Sequence, residues 1–400
     1  MIPVEHAQKI IRDAIQPLGT ETISLSLALG RVLAETPTAR IAHPAHTVSA
    51  MDGYAVRAED VPSVPSDLEI IGESAAGHPF QGKVSAGQTV RIFTGAHVPS
   101  GADTIVLQED VDRDGDTISI REIEPGRHIR PKAQDFAEGD TILNPPLRLS
   151  PRHIGLLSAA DKPWLQVYRK PRVAILSTGD EIVLPGEPRG PNQIVSANGP
   201  ALAAFVSAKG GIPVHLGVVE DDKNALTAIA NAAKDCDLVV TSGGVSVGDR
   251  DLVRIAFGDA GLDVEFHKIA MRPGKPLMFG KLGDTPMLGL PGNPVSALVC
   301  ALLFLGPAID RLLGLPGTSP HPHIATLTTD LSGNGSRQDY MRAVTSHNDD
   351  GTLTVTPIFT QDSSMIGALA NADALIMRPV NAPAAKTEEA VPVLLLDGLL

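Results

Sequence analysis

Three largely apolar runs, Arg172-Val-Ala-Ile-Leu-Ser177, Ile212 to Val219 and the continuous Asp237-Leu-Val-Val-Thr241, constrain this 400-residue chain more than any other feature. A strand with one wet face alternates apolar and polar residues, whereas a run that is apolar throughout must be covered on both faces. Helical patterns lie between the runs, one from about Pro200 to Ala208 and one ending at Ala233 that Asp221 or Asp222 would cap. Strands alternating with helices in this way predict an α/β unit built on a parallel sheet. A short helix from Leu252 to Phe257 follows. A long one runs from about Val295 to Leu313, stopped by Gly314 and Pro316.

The flanking segments have a different texture. Ile2, Ala7, Ile10, Ile11, Ala14, Ile15 and Leu18 recur at helical spacing, and Pro17 and Gly19 close that helix. From about Thr47 to Pro131, short β-type runs (68–71, 89–94, 104–108, 117–120) alternate with Gly, Pro and Asp-Gly turns, predicting a small all-β domain with a hairpin at Asp114-Gly115. From Thr318 to Leu400 short strands and turns return, after a Pro- and His-rich linker that starts at Thr318.

Composition removes several functions. Net charge is −13 (33 Lys and Arg, 46 Asp and Glu) and aromatics are 3%. That is the wrong sign for tracking a nucleic-acid backbone or an anionic membrane, with few rings for base stacking. Cys236 and Cys300 lack CxxC spacing, which argues against a disulfide framework or a thiolate metal site. His43, His46, His321 and His323 sit beside prolines without zinc-ligand spacing, and neither GxxxxGK[ST] nor GxGxxG occurs. The first residues carry charges and no apolar core of a signal, and the longest apolar run, Val295 to Ile309, falls short of the ~18 residues a membrane span needs. The expectation is a soluble, cytoplasmic protein with no nucleic-acid or membrane partner.

The candidate chemistry gathers at loops that follow strands. Thr241-Ser-Gly-Gly-Val-Ser-Val-Gly-Asp-Arg-Asp251 joins a buried strand to a helix, and Gly243 and Gly244 would let backbone N–H groups approach a phosphate. Asp249 and Asp251 could hold a hard cation there, or cap the following helix. The same stretch contains Gly244-Val-Ser246-Val-Gly248, a formal nucleophile elbow with Asp263 and His267 downstream. That serine lies five positions beyond the end of the apolar run, too far for an elbow, so a serine hydrolase is the alternative reading. Arg272 and Lys275 flank the rigid turn Met271-Arg-Pro-Gly-Lys-Pro276, and Leu290-Pro-Gly-Asn-Pro294 forms a second turn between apolar runs. On an acidic protein, an anionic ligand needs such local cations. Ser177-Thr-Gly-Asp-Glu181 sets two carboxylates after a strand, suited to Mg²⁺ or to a turn cap, and Asp222 follows the next strand. In Ser49-Ala-Met-Asp-Gly-Tyr-Ala55 an acid precedes a Gly that reads as a turn.

Together these segments resemble the molybdopterin molybdenumtransferases (MoeA type), a family shared with the C-terminal part of gephyrin. The resemblance rests on SAMDGYA (49–55), TGAHVPSGADTIV (94–106), STGDE (177–181), SGGVSVGDRD (242–251), RPGKP (272–276) and LPGNPVSA (290–297), in the family's order along essentially the whole chain. It implies a multidomain α/β plus β protein: an N-terminal helical domain (1–46 with 132–168), an inserted β domain (47–131), a central α/β molybdopterin-binding domain (169–316) and a C-terminal β-barrel-like domain (317–400). The implied form is a homodimer whose pathway partner is molybdopterin adenylyltransferase. The implied reaction inserts molybdate into adenylylated molybdopterin with Mg²⁺ assistance and releases AMP.

Carried over by motif, the implied catalytic residues are Asp52, Thr94, Asp135, Glu181, Asp222, Asp251 and Lys275. Glu181, Asp222 and Asp251 would hold the metal. Ser242, Gly243, Gly244, Arg272, Pro291, Gly292, Asn293, Arg337 and Ser364 would bind the pterin substrate or oxyanion. Two positions depart from the family's pattern: Arg272 stands where Lys is common, and Val48 where Asn is common.

Overall fold

The computed structural model describes residues 1–220, 222–244, 252–396, 398 and 400. The chain forms two compact units, Met1–Glu21 with Tyr168–Leu400, and Thr22–Val167.

In the first unit, helix α1 (Val4–Ala14) is followed by an α/β layer. Its strands are β1 (Arg172–Thr178), β2 (Ile212–Val219), β3 (Leu238–Ser242), β4 (Leu262–Phe266), β6 (Met278–Leu282) and β7 (Thr285–Leu290), with β5 (Met271–Arg272) set apart. The helices are α2 (Asn198–Ala208), α3 (Lys223–Ala233), α4 (Leu252–Asp259) and α5 (Pro294–Leu312). Strand order is β2-β1-β3-β7-β6-β4. The first four strands are parallel, with β1 and β3 buried on both faces and β2 half-exposed at the edge, but β6 runs antiparallel to both β7 and β4. The purely parallel expectation is therefore corrected to a mixed sheet: a Gly283 turn between β6 and β7 leaves no room for a crossover helix.

One face of the sheet buries Ala174, Leu176, Val239, Met278 and Met287 against Leu226 and Ala230 of α3 and Val253, Ala256 and Phe257 of α4. Alternate residues of the same strands point the other way, where α2 and α5 pack. Helix α5 matches the long helix expected from about Val295 to Leu313, set one residue earlier. By length and composition it could cross a membrane, yet 83% of its apolar window is buried within the protein, so here it serves as a core helix. It contains a π-helical segment, Ala301–Leu305, and α1 lies along its C-terminal half.

The C-terminal strands β8 (His323–Leu327), β9 (Gln338–His347), β10 (Leu353–Pro357), β11 (Ala374–Arg378) and β12 (Ala390–Leu395) pair in the cycle β9-β10-β8-β12-β11-β9, a closed five-stranded barrel. Closure leaves no free sheet edge within the ring and encloses Ala325, Leu327, Ala343, Val355, Ile376 and Val393. The two-residue β5 adds to β9 in parallel, tying the basic turn of the α/β layer to the barrel.

The second unit contains a four-stranded sheet (Thr20–Ser24, Trp164–Tyr168, Val32–Leu33, Leu147–Arg148) and a six-stranded sheet drawn from residues 53–120. The chain enters and leaves the latter beside a short antiparallel ladder of Val48–Ser49 with Ile129–Arg130. The hairpin at Asp114-Gly115 forms, with Asp114 opposite Thr117 and Gly115 at φ 60°. Gly53 is not at a turn. It pairs with Ile92 on one side and Leu107 on the other, and a Cβ there would collide with the Val106 carbonyl oxygen. The sheet, rather than a bend, requires glycine at that position.

Candidate functional site

In an open α/β sheet, ligands collect beyond the carboxyl ends of the parallel strands. Here Ser177 of β1 lies opposite Ser242 of β3, and Ser242 opposite Leu290 of β7. The segments that follow, from Gly179, Gly243 and Pro291, therefore emerge along one edge. Gly243 donates its N–H to the Leu290 carbonyl, 3.3 Å away. It has φ 91°, and a Cβ would come within 2.8 Å of the Thr178 carbonyl oxygen. A Cβ on Gly292 would reach the Gly243 Cα at 3.7 Å, so the two glycine turns are packed together.

Asn198, at the start of α2, secures this edge. Its Nδ2 donates to Ser242 Oγ and to the Gly292 carbonyl, both at 2.7 Å. Nothing in the sequence singled out this residue; an Asn in the first turn of a helix reads simply as a terminus. A cavity of about 270 Å³ opens here, lined by Ser177, Ser196, Asn198, Ser242, Gly292 and Ser364 among others. Asn198 and Pro294, at the N-termini of α2 and α5, also line it, and helix N-termini favour anions.

A neighbouring cavity of about 540 Å³ shares Gly292 and Asn293 with the first and carries Arg272, Lys275, Pro291 and Arg337. Three cations in one depression of a protein of charge −13 form a local anion-attracting site. The wall opposite the basic turn is a loop, residues 361–363. Asn293 Nδ2 donates to Ser363 Oγ at 2.8 Å, and Val295 N–H to the Ser363 carbonyl at 3.1 Å. Arg342, 1% exposed, donates to the Thr360 and Met365 carbonyls at either end of that loop. Within the loop the Ser364 hydroxyl and N–H donate to Asp362 and hold its carboxyl below the usual range. Neither Arg342 nor the loop's attachment was legible beforehand, since a buried arginine on a strand carries no sequence mark.

The carboxylates are placed separately. Glu181 is exposed just after β1, folded back over Gly179. Asp222 Oδ1 accepts the Ala225 N–H at 2.8 Å and caps α3, so the capping reading is realised. Neither lines the two cavities. Asp221, Asp251, Asp249 and Ser246 lie outside the described residues. Among the described residues no three His, Cys, Asp or Glu side chains cluster as a metal centre. Of the hydrolase alternative, Asp263 is on β4, three strands from β3 and about 14 Å across the sheet, while its serine is outside the described residues.

In the second unit, Asp52 Oδ1 accepts both the Thr94 N–H (2.8 Å) and hydroxyl (2.7 Å), which lower its pKa. Asp135 is exposed, its N–H donating to the His43 carbonyl. A larger cavity of about 840 Å³ lies in the first unit near Leu298 and Leu400, mostly apolar, with Asp373 already accepting the Thr345 N–H. No Lys or Arg lines it, whereas Arg272, Lys275 and Arg337 line the cavity beside Asn293.

The MoeA N-terminal region (domain I and II) matches residues 2–160, a probable molybdopterin binding domain residues 174–311, and the MoeA C-terminal region (domain IV) residues 325–396. A molybdopterin molybdenumtransferase of Nostoc sp. is 40% identical over 332 residues, 80% of this chain and 76% of that one. One from Haemophilus influenzae is 35% identical over 382 residues, 94% of each chain. The crystal structure of a molybdopterin biosynthesis MoeA protein from Pyrococcus horikosii superposes with a TM-score of 0.83 at 32% identity, covering 99% of both chains. With its three regions matched in order and relatives this similar over most of their length, the chain belongs to the molybdopterin molybdenumtransferase (MoeA) family.

Proposed function

We propose that this protein transfers molybdenum to molybdopterin: it takes adenylylated molybdopterin and molybdate as substrates and releases AMP with the finished cofactor. One observation carries this reading: two adjoining cavities share Gly292 and Asn293, one lined by hydroxyls and helix N-termini, the other by Arg272, Lys275 and Arg337. A pterin nucleotide joined through a pyrophosphate is an elongated polyanion, and molybdate is a compact oxyanion, so adjoining polar and cationic chambers suit the pair.

The residues' tasks follow from their chemistry. Gly243 and Gly244 admit a phosphate close to backbone N–H groups. Ser242, held by Asn198, and Ser364 offer hydroxyls to polar groups of the substrate. Lys275 and Arg337 neutralise the oxyanion, with Arg272 offering a planar fork where a lysine would give only a point charge. Charge building on the leaving phosphate is stabilised by cations already in place.

Glu181, Asp222 and Asp251 would hold Mg²⁺. Oxygen donors suit that ion, and Glu181 and Asp222 follow adjacent strands. When bound, it would supply further neutralisation of the pyrophosphate. Asp52, Thr94 and Asp135 belong to the same proposal by motif, acting in a homodimer. The protein would work in the cytoplasm, downstream of a molybdopterin adenylyltransferase that makes its substrate.

The test is to incubate the purified protein with adenylylated molybdopterin, Mg²⁺ and molybdate and to quantify AMP. The reading predicts AMP release that depends on molybdate; release indifferent to molybdate, or none, rejects it.

A further inference from the structure

Asp339 on β9 is 3% exposed, the one buried carboxylate among the described residues. Its Oδ2 accepts a hydrogen bond from Arg272 Nη2 at 2.7 Å, an ion pair whose acidic side chain is 5% exposed and whose basic side chain is 54% exposed. The backbone enforces this meeting. Strands β5 and β9 place Arg272 opposite Asp339, and the Gln338 N–H donates to the Ala270 carbonyl at 2.9 Å. On the other side of β9, Arg378 of β11 stands in register with Asp339. Burial raises the Asp339 pKa while Arg272, Arg337 and Arg378 oppose that rise. A desolvated acid in a barrel strand is costly unless paired, whereas Arg272, 54% exposed, stays solvated without Asp339 but loses its fixed orientation.

We propose that Asp339 is a positioning residue for oxyanion capture: by gripping one nitrogen of Arg272, it fixes the guanidinium so that the other donors are presented to the cavity shared with Lys275 and Arg337. The inference rests on reading that cavity as the oxyanion site. It makes a prediction opposite in sign to simple electrostatics. Deleting a negative charge beside three arginines should make the cavity more positive and tighten anion binding. Losing the tether instead frees the guanidinium to rotate, and ordering it again on binding weakens the complex.

The test is equilibrium dialysis of molybdate against the full-length protein, with bound molybdenum measured by elemental analysis. Asp339→Asn is expected to raise the dissociation constant about tenfold, the scale of one charged hydrogen bond. In an Arg272→Ala background, the same substitution is expected to change nothing further. Unchanged or tighter binding by Asp339→Asn overturns the proposal, as does a loss that persists without Arg272. Should Asp339→Asn fail to fold, Arg272→Lys serves in its place. It keeps the charge but not the fork, and binding equal to the unaltered protein would count against the proposal. If the unaltered protein itself binds no molybdate, the reading of the cavity fails rather than the role of Asp339.

Discussion

Asp52 and Thr94 act as one unit: a single carboxylate oxygen of Asp52 receives both the backbone N–H and the hydroxyl of Thr94, at 2.8 and 2.7 Å. The two residues come from separate motifs in the sequence, SAMDGYA and TGAHVPSGADTIV. Their union holds the Asp52 pKa below its ordinary value of 3.8, the backbone bond being the larger cause. Thr94→Val removes the hydroxyl and keeps the N–H, so the pKa should rise only part of the way back. Carboxyl-carbon NMR across an acid titration measures this, and no change would mean the hydroxyl does not bond in solution. Because the folded pKa is lowered, the stabilisation is present above pH 3.8 and is lost as pH falls through the folded value.

Gly244 has φ 64°, and a Cβ there would collide with Val253 Cγ2 and approach Thr178 Oγ1 to 2.8 Å. Gly244→Ala therefore meets both a left-handed backbone, costing about 1–2 kcal/mol, and overpacking worth about 1–3 kcal/mol. Urea denaturation should show a lowered midpoint at unchanged slope. A midpoint equal to that of the unaltered protein would mean the loop relaxes freely.

Asp222 has two roles that substitution can separate. Asp222→Ala should cost about 1 kcal/mol of stability through loss of the α3 cap. Asp222→Asn caps equally well but carries no charge, so it should keep the stability and weaken any Mg²⁺ dependence of AMP release. Full Mg²⁺ response in Asp222→Asn would remove this residue from the metal's ligands.

Asn198 bridges two loops through Ser242 Oγ and the Gly292 carbonyl. Asn198→Ala should cost about 1–3 kcal/mol for the two bonds lost, with weaker binding of the pterin substrate. Calorimetry of unfolding together with substrate titration separates the two effects. Unchanged substrate affinity would confine Asn198 to a structural role.

How much of this was legible in the sequence depends on the range of the interactions. Strands β1 and β3 were readable because burial on both faces leaves an apolar run, whereas β2, at the sheet edge with no buried residue, was readable from its β-type residues despite His215. The α3 cap was narrowed to Asp221 or Asp222, and Asp222 fills it. The antiparallel edge, β6 and β4, was missed because hydrophobic pattern records burial and not strand direction. β5 was missed because two residues carry no periodicity; its pairing with β9 is set by the barrel. The basic turn and the glycine loops were recognised as phosphate-friendly from local chemistry. Arg342, Asp339 and Asn198 were not, since each acts through partners 18 to 94 residues away in the chain: Thr360 and Met365, Arg272, and Ser242 with Gly292.

The most direct test of the whole account is to crystallise the protein with tungstate, whose size and charge are close to those of molybdate, and to locate the tungsten by anomalous scattering. The account predicts a peak in the cavity between Lys275, Arg272 and Asn293. A tungsten bound elsewhere, with that cavity empty at saturating tungstate, would contradict it.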